Sequence, residues 1–183
     1  MAPLQPQASH FGLILPLCSS SATVGLALYQ YPVFTAFLSS KSKGQASLAG
    51  KTLSRYWEPV FKQGYIVISG LGLTSAIAGV LSARWLKTHQ TLETTDVSAW
   101  YTYGAVLAAA HFAFVPLVGG PIRSMIERGS ETNTLSEEST EEKNREEMKT
   151  WFMWHTIRTF AVDLPALICF AEGAAQSFWI ANV

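Results

Sequence analysis

Four stretches of this sequence run for the length of a membrane crossing with almost no charge, and the charges they exclude are crowded between them. The stretches are about 11–38, 60–86, 99–118 and 154–180, and each approaches the roughly 20 residues that a helix needs to span hydrocarbon. A chain in lipid must satisfy its backbone polar groups internally, so apolar runs of this length are expected to be helical. Apolar residues make up 49% of the chain and charged residues 14%, a segregation that points to a membrane protein. The mean hydropathy of +0.19 is modest because it averages greasy spans with polar connections. The expected fold class is therefore all-α, an integral membrane four-helix bundle, as a single domain over 1–183. Small residues recur at helix-contact spacing, Ser21 and Gly25 in the first span and Gly72, Ala76 and Gly79 in the second, where they would let helices approach closely.

Lys and Arg set the orientation. The connection after the first span holds Lys41, Lys43, Lys51 and Arg55, and that after the third holds Arg123, Arg128, Lys143, Arg145 and Lys149. The short connection after the second holds only Arg84 and Lys87. Positive residues favour the cytosolic side, so the 39–59 and 119–153 loops are expected to be cytosolic. Both termini are then lumenal, with the endoplasmic reticulum as the expected membrane. The N-terminus "MAPLQPQASH" lacks the basic start of a cleaved signal, so the first span is expected to stay as a helix. The Glu-rich segment 129–149 reads as an acidic cytosolic loop and a solvated linker, with Ser139 and Glu142 spaced to cap a helix running into the fourth span.

Several chemistries are disfavoured. The formal net charge is zero, which gives no footprint for nucleic acid. "GQASLAGKT" has five residues between Gly44 and Gly50 where a phosphate loop has four. Cys18 and Cys169 form no metal or redox motif and read as small apolar residues. The four histidines include no pair at ligand spacing on one helix, and no carboxylate pattern completes a di-iron site. No metal site and no bound cofactor are expected, and the expected partners are the lipid bilayer and a hydrophobic small molecule. The oligomeric state stays open.

What the apolar spans do contain is a small set of ionisable side chains. Charge within a bilayer costs about 2.5 kcal/mol or more, so such groups are expected to face the bundle interior and to mark function. With Arg158 as origin and about 100° per residue, Trp151, Trp154, His155, Glu172 and Gln176 fall on one face, whereas Asp163 falls near 140°, points elsewhere and reads as an interhelical hydrogen-bonding group or a member of a proton path. In the second span Glu58, Lys62, Tyr65, Ser69 and Gly72 form a matching stripe. Glu58 could pair with Arg158 to pin two helices, and Lys62 could snorkel. His111 and Arg123 lie near the same membrane face. His155 has no evident structural duty. Trp57, Trp151 and Trp154 could be interfacial belt residues or, with Tyr56, the walls of a flat apolar pocket. Pro165 is expected to loosen the fourth helix.

The runs "RYWEPVFKQGY", "FVPLVGGPIRSMIE" and "WHTIRTF", set in four spans, resemble the anthrone oxygenase-like integral membrane proteins. The specific part of the resemblance is Trp151 or Trp154 with His155 and Arg158, and Pro121 after the third helix. The broader family often carries Asn where this sequence has Arg123 and His155, a departure that looks like the fungal branch. The resemblance implies a monooxygenase of fungal secondary metabolism. It would oxidise an anthrone-type aromatic polyketide at its central methylene to an anthraquinone, with O2 as cosubstrate and no bound metal or flavin. The residues suit that chemistry. His155 is the expected base, with an unperturbed pKa near about 6.5, and Arg158 or Arg123 would hold the developing oxyanion. His111 completes the catalytic set. Trp151, Trp154, Tyr56, Trp57, Glu58, Tyr65 and Glu172 are the expected substrate-binding residues. The same base, cation and pocket would also serve a cyclase or isomerase on another polyketide or terpenoid scaffold. A non-catalytic membrane scaffold, its charges serving only to lock helices, is the third alternative.

Overall fold

The computed structural model describes residues 8–38, 48–89, 97–130, 132 and 134–181, and these residues are helical with short connections. The helices are α1 (Ala8–Leu38), α2 (Lys51–His89), α3 (Val97–Ala110), α4 (Val115–Arg128), α5 (Glu137–Arg158) and α6 (Leu164–Ala181). A 3-10 turn, His111–Phe114, joins α3 to α4, and a π turn, Thr159–Asp163, joins α5 to α6. The all-α helical bundle expected from hydropathy is what forms. Lys41, Lys43 and Gly44 lie outside the described residues.

Three helical runs, Phe11–Leu38, Lys51–Thr88 and Val97–Arg128, are long and apolar enough to cross a membrane. Their outward faces fit that role. Ile66, Val106 and Ile77 are 71%, 62% and 58% exposed, a surface that suits hydrocarbon and not water. The fourth expected span, 154–180, is not among the three; it carries Arg158, Asp163 and Glu172.

Prolines account for both irregular turns. Pro116 lies in the first turn of α4 and disfavours the α conformation just before it, so the chain tightens over His111–Phe114. Pro165 sits one residue into α6, where its ring would crowd the carbonyl four residues back. Widening the preceding turn to π geometry over Thr159–Asp163 relieves that crowding. The extra residue also rephases everything after it, so angles counted at constant pitch from Arg158 do not carry into α6.

The described residues group into two compact units. The first comprises the N-terminal part of α1 to Val24, Ser69–Phe112 and the chain from Phe160 on. Its core holds Leu13, Leu86, Val97, Tyr101 and Phe170. Gly79 and Gly104 make room for the Phe170 ring; a Cβ at either would lie 2.8 Å and 2.6 Å from it. The small-residue spacing in α2 is thus a packing surface here. Ser21 and Gly25 are not: both are exposed, and nothing lies within 4 Å of a Cβ at Gly25.

The second unit comprises Gly25–Ile68 and Ala113–Thr159. Its core is aromatic, with Phe34, Trp57 and Trp151 packed beside Leu53, Met125 and Met148. The acidic segment belongs to this core and is no solvated loop. The helix starts at Glu137, capped by Ser136, whose hydroxyl accepts from the Ser139 amide, so the cap lies three residues before the expected one. Glu137 and Glu138 in the first turn complement the helix dipole. The Glu137 carboxylate in turn accepts the Lys51 amide at 2.8 Å and caps the start of α2.

Asn144 locks the segment in place. It is fully buried and donates to the carbonyls of Ala49 and Gly50 and to Ser54 Oγ, while its own oxygen accepts from Arg128 Nε at 2.9 Å. The next residue, Arg145, pairs with Glu141 one turn back and donates to the Leu38 carbonyl. A buried amide with this many partners leaves several polar groups orphaned when removed. Asn144→Leu is expected to lower the unfolding free energy by about 2–4 kcal/mol. The neighbouring exposed Glu138→Ala should change it by less than about 0.5 kcal/mol. Thermal unfolding of the detergent-solubilised protein measures both, and equal midpoints would show that the acidic segment is not anchored.

Candidate functional site

Each unit buries one histidine with a charged partner, and the two are wired in opposite senses. In the second unit His155 is fully buried on α5. Its ring lies face to face with Trp151, centroids 4.7 Å apart and planes 9° from parallel, and Tyr31 closes the other side at 5.1 Å. Nε2 of His155 lies 3.0 Å from the Ala27 carbonyl, which can only accept, so Nε2 carries the proton. Nδ1 lies 3.0 Å from Arg158 Nη2, which can only donate, so the lone pair on Nδ1 is already taken. His155 is therefore held neutral with both nitrogens engaged.

Around this pair the aromatic side chains form a continuous packed cluster. Trp57 stacks on Phe34 at 4.3 Å and 3°, and meets Trp151 edge to face at 5.2 Å. The Tyr31 hydroxyl donates to Thr156 Oγ1 at 2.8 Å. Trp57 and Trp151 are 3% and 4% exposed, so their faces are spent on each other and on Phe34 and His155. The Trp57 indole N–H is buried and has no partner among the described residues. Trp154 is only half-buried and packs edge to face on Phe114 at 6.4 Å.

The remaining expected residues of this unit lie at its surface. Arg123 is exposed and lines a hollow of about 670 Å³ with Phe61, Pro116, Gly119 and Glu127. Glu58 does not pair with Arg158. It holds Lys62, one helical turn away on α2, at 2.8 Å, with both side chains largely in the open. The local partner wins because an i,i+4 pair needs no backbone rearrangement. Tyr56 and Tyr65 are 38% and 52% exposed.

In the first unit His111 opens the 3-10 turn and Asp163 closes the π turn. His111 Nδ1 and Asp163 Oδ1 are 2.8 Å apart, and both side chains are buried, with 5% and 3% exposed. The carboxylate accepts, so Nδ1 carries the proton and the lone pair falls on Nε2. No described residue hydrogen-bonds that Nε2. Asp163 thus serves as an interhelical hydrogen-bonding group, with His111 as its partner. A sequence signal existed: Asp163 and His111 each interrupt an otherwise apolar run, and such groups in lipid pair with one another. Glu172 does not share a face with His155. It is exposed on α6 and accepts from Gln176 at 2.7 Å.

Chemically, the two pairs offer different things. A histidine oriented by a buried carboxylate with an available Nε2 is the arrangement of a general base. A histidine saturated by an arginine and a carbonyl orients that arginine and ties two helices. Among the described residues, no three His, Cys, Asp or Glu side chains gather as a metal-binding set.

The anthrone oxygenase family model matches residues 57–168, a stretch that contains His111, Arg123, Trp151, His155, Arg158 and Asp163. The chain is also 26% identical over 165 residues to a protein of Penicillium citrinum named epoxidase gkaX, covering 90% of this chain and 92% of that one. No solved structure matches it. The family match spans the greater part of the sequence together with every one of these buried pairs, and the chain belongs to the anthrone oxygenase family of oxygenase-like proteins.

Proposed function

We propose that the chain is an oxygenase of fungal secondary metabolism that oxidises an anthrone-type aromatic polyketide with O2, and that His111, oriented by Asp163, takes the first proton. Family membership, the Penicillium relative and a lipid-facing apolar surface that would concentrate a greasy substrate all support the reading. The choice of base rests on one observation. Of the two buried histidines, His155 has both nitrogens engaged and His111 has one engaged by a carboxylate.

An anthrone methylene is acidic because its anion is an aromatic anthracenolate. His111 Nε2 accepts that proton, and Asp163 offsets the charge on the ring. The electron-rich carbanion passes an electron to O2, and the carbon radical and superoxide combine to a peroxide at the same carbon. Return of the proton to the outer peroxide oxygen, with loss of the second C–H proton, expels water and leaves the ketone. Anthrone and O2 thus give anthraquinone and water, and the reaction in this reading draws its electrons from the substrate without a metal or flavin.

A second reading follows from the name of the relative, an epoxidase. Placing one oxygen atom of O2 on an alkene and reducing the other to water consumes two further electrons. A strict need for an added reductant would favour it over anthrone oxidation.

Purified protein in lipid nanodiscs with emodin anthrone should accelerate oxygen uptake and anthraquinone formation. His111→Gln and Asp163→Asn should each lower the rate by on the order of 100-fold or more with unfolding midpoints near wild type. A wild-type rate in His111→Gln would remove the proposed base, and no acceleration by wild type would remove the anthrone. His155→Phe should act first on stability. It removes the bonds to the Ala27 carbonyl and to Arg158, at a cost of about 2–3 kcal/mol in the unfolding free energy. Nitrogen-15 NMR separates the two rings directly. His111 should show the Nδ1–H tautomer and His155 the Nε2–H tautomer, and matching tautomers would contradict the assignment.

A further inference from the structure

Beside His111 and Asp163 lies a small cavity of about 10 Å³, bordered by the hydroxyl residues Ser20, Thr23 and Ser75. That is about the space that holds a single water molecule and far below what an aromatic ring needs. The hydroxyls divide into two kinds. Thr23 donates to the Ser19 carbonyl, and Ser75 meets Ser19 Oγ at 2.8 Å and donates to the Leu71 carbonyl, so both are engaged. Ser20 and His111 are each 4% exposed, and no described residue hydrogen-bonds Ser20 Oγ or His111 Nε2. Two polar groups this deeply buried and unmatched by protein, on one cavity of water size, form a built site for a hydrogen-bonding ligand.

We propose that this cavity binds one water molecule, which donates to His111 Nε2 and bonds Ser20 Oγ, and that the water carries the substrate's proton to His111. The relay function rests on the anthrone reading above; the water site does not. Because the cavity excludes an aromatic ring, the base reaches its substrate through the water and not by contact. In the step, the C–H proton passes to the water oxygen as one of the water's own protons passes to Nε2. The water is regenerated, His111 becomes an imidazolium beside the Asp163 carboxylate, and no electrons move. The reverse transfer later delivers a proton to the departing peroxide oxygen.

Infrared difference spectroscopy of the nanodisc-embedded protein, without substrate, in normal and oxygen-18 water tests the site. Wild type should show a slowly exchanging O–H stretch that oxygen-18 shifts. Ser20→Val, whose methyl groups fill the space, should lose it. Its oxygen uptake with emodin anthrone should fall by about tenfold or more, while the nitrogen-15 spectrum keeps His111 in its Nδ1–H tautomer. Should Ser20→Val not fold, Ser20→Ala adds no bulk and should shift the band and slow turnover in the same direction. A wild-type protein without the oxygen-18-sensitive band overturns the site, whatever the activity. A band lost in Ser20→Val at an unchanged rate overturns the relay. A band present in wild type with no anthrone oxidation supports the water site and counts against the substrate.

Discussion

A charge that leaves water for an apolar helix bundle must find a partner, and that demand organises this chain. Among the described residues the buried ionisable side chains are His111, Glu141, His155, Arg158 and Asp163. His111 meets Asp163, Glu141 meets Arg145, and His155 meets Arg158. The idealised cost of burying such a group alone runs to several kcal/mol, more than the share of stability any single helix contact provides. Each pairing therefore fixes local geometry as firmly as a core contact does. Asn144 is the uncharged version of the same device: it gathers two carbonyls, a hydroxyl and an arginine around one buried amide.

The pairing of His111 with Asp163 depends on two prolines. Pro116 converts the end of α3 into a 3-10 turn that begins at His111, and Pro165 converts the start of α6 into a π turn that ends at Asp163. Both members of the pair thus sit where the helix departs from regular pitch. Single π turns inside helices recur at functional sites, because the inserted residue re-aims a side chain that regular geometry would point elsewhere. A carboxylate placed this way has accepted a backbone irregularity in order to face its partner.

The same irregularity marks the limit of what the sequence discloses. Hydropathy alone locates α1, α2 and the α3–α4 run, because lipid leaves a chain no alternative to helix. It also singles out His111, His155 and Arg158, since ionisable groups in such runs are few. Side-chain direction is another matter. Counting at about 100° per residue holds for α5, where Trp151, His155 and Arg158 do share a buried face, and fails beyond Thr159, where Glu172 is misdirected. The acidic segment misleads through composition. Its glutamates outweigh the buried stripe of Thr140, Asn144, Met148, Trp151 and His155, whose spacing of three and four residues is that of a packed helix. Glu58 misleads through distance: a lysine one turn away is nearer than any arginine on another helix.

The two histidines also bear on which chemistries the fold can host. An imidazole oriented by a carboxylate, with its second nitrogen available, is suited to moving protons. Proton removal begins an anthrone oxidation, but it equally begins an isomerisation or a cyclisation. What separates these outcomes is the substrate: only a carbanion rich enough to reduce O2 goes on to oxygenation, and a poorer one is reprotonated or attacks a neighbouring carbon. A dyad of this kind would serve either outcome unchanged. The Arg123 hollow is a different kind of surface, with open helix positions at Gly119 and Gly120. A side chain added there meets no protein atom within 4 Å, so the hollow can be reshaped at little cost to the core. The buried pair, by contrast, tolerates little, because losing either partner strands the other in an apolar interior.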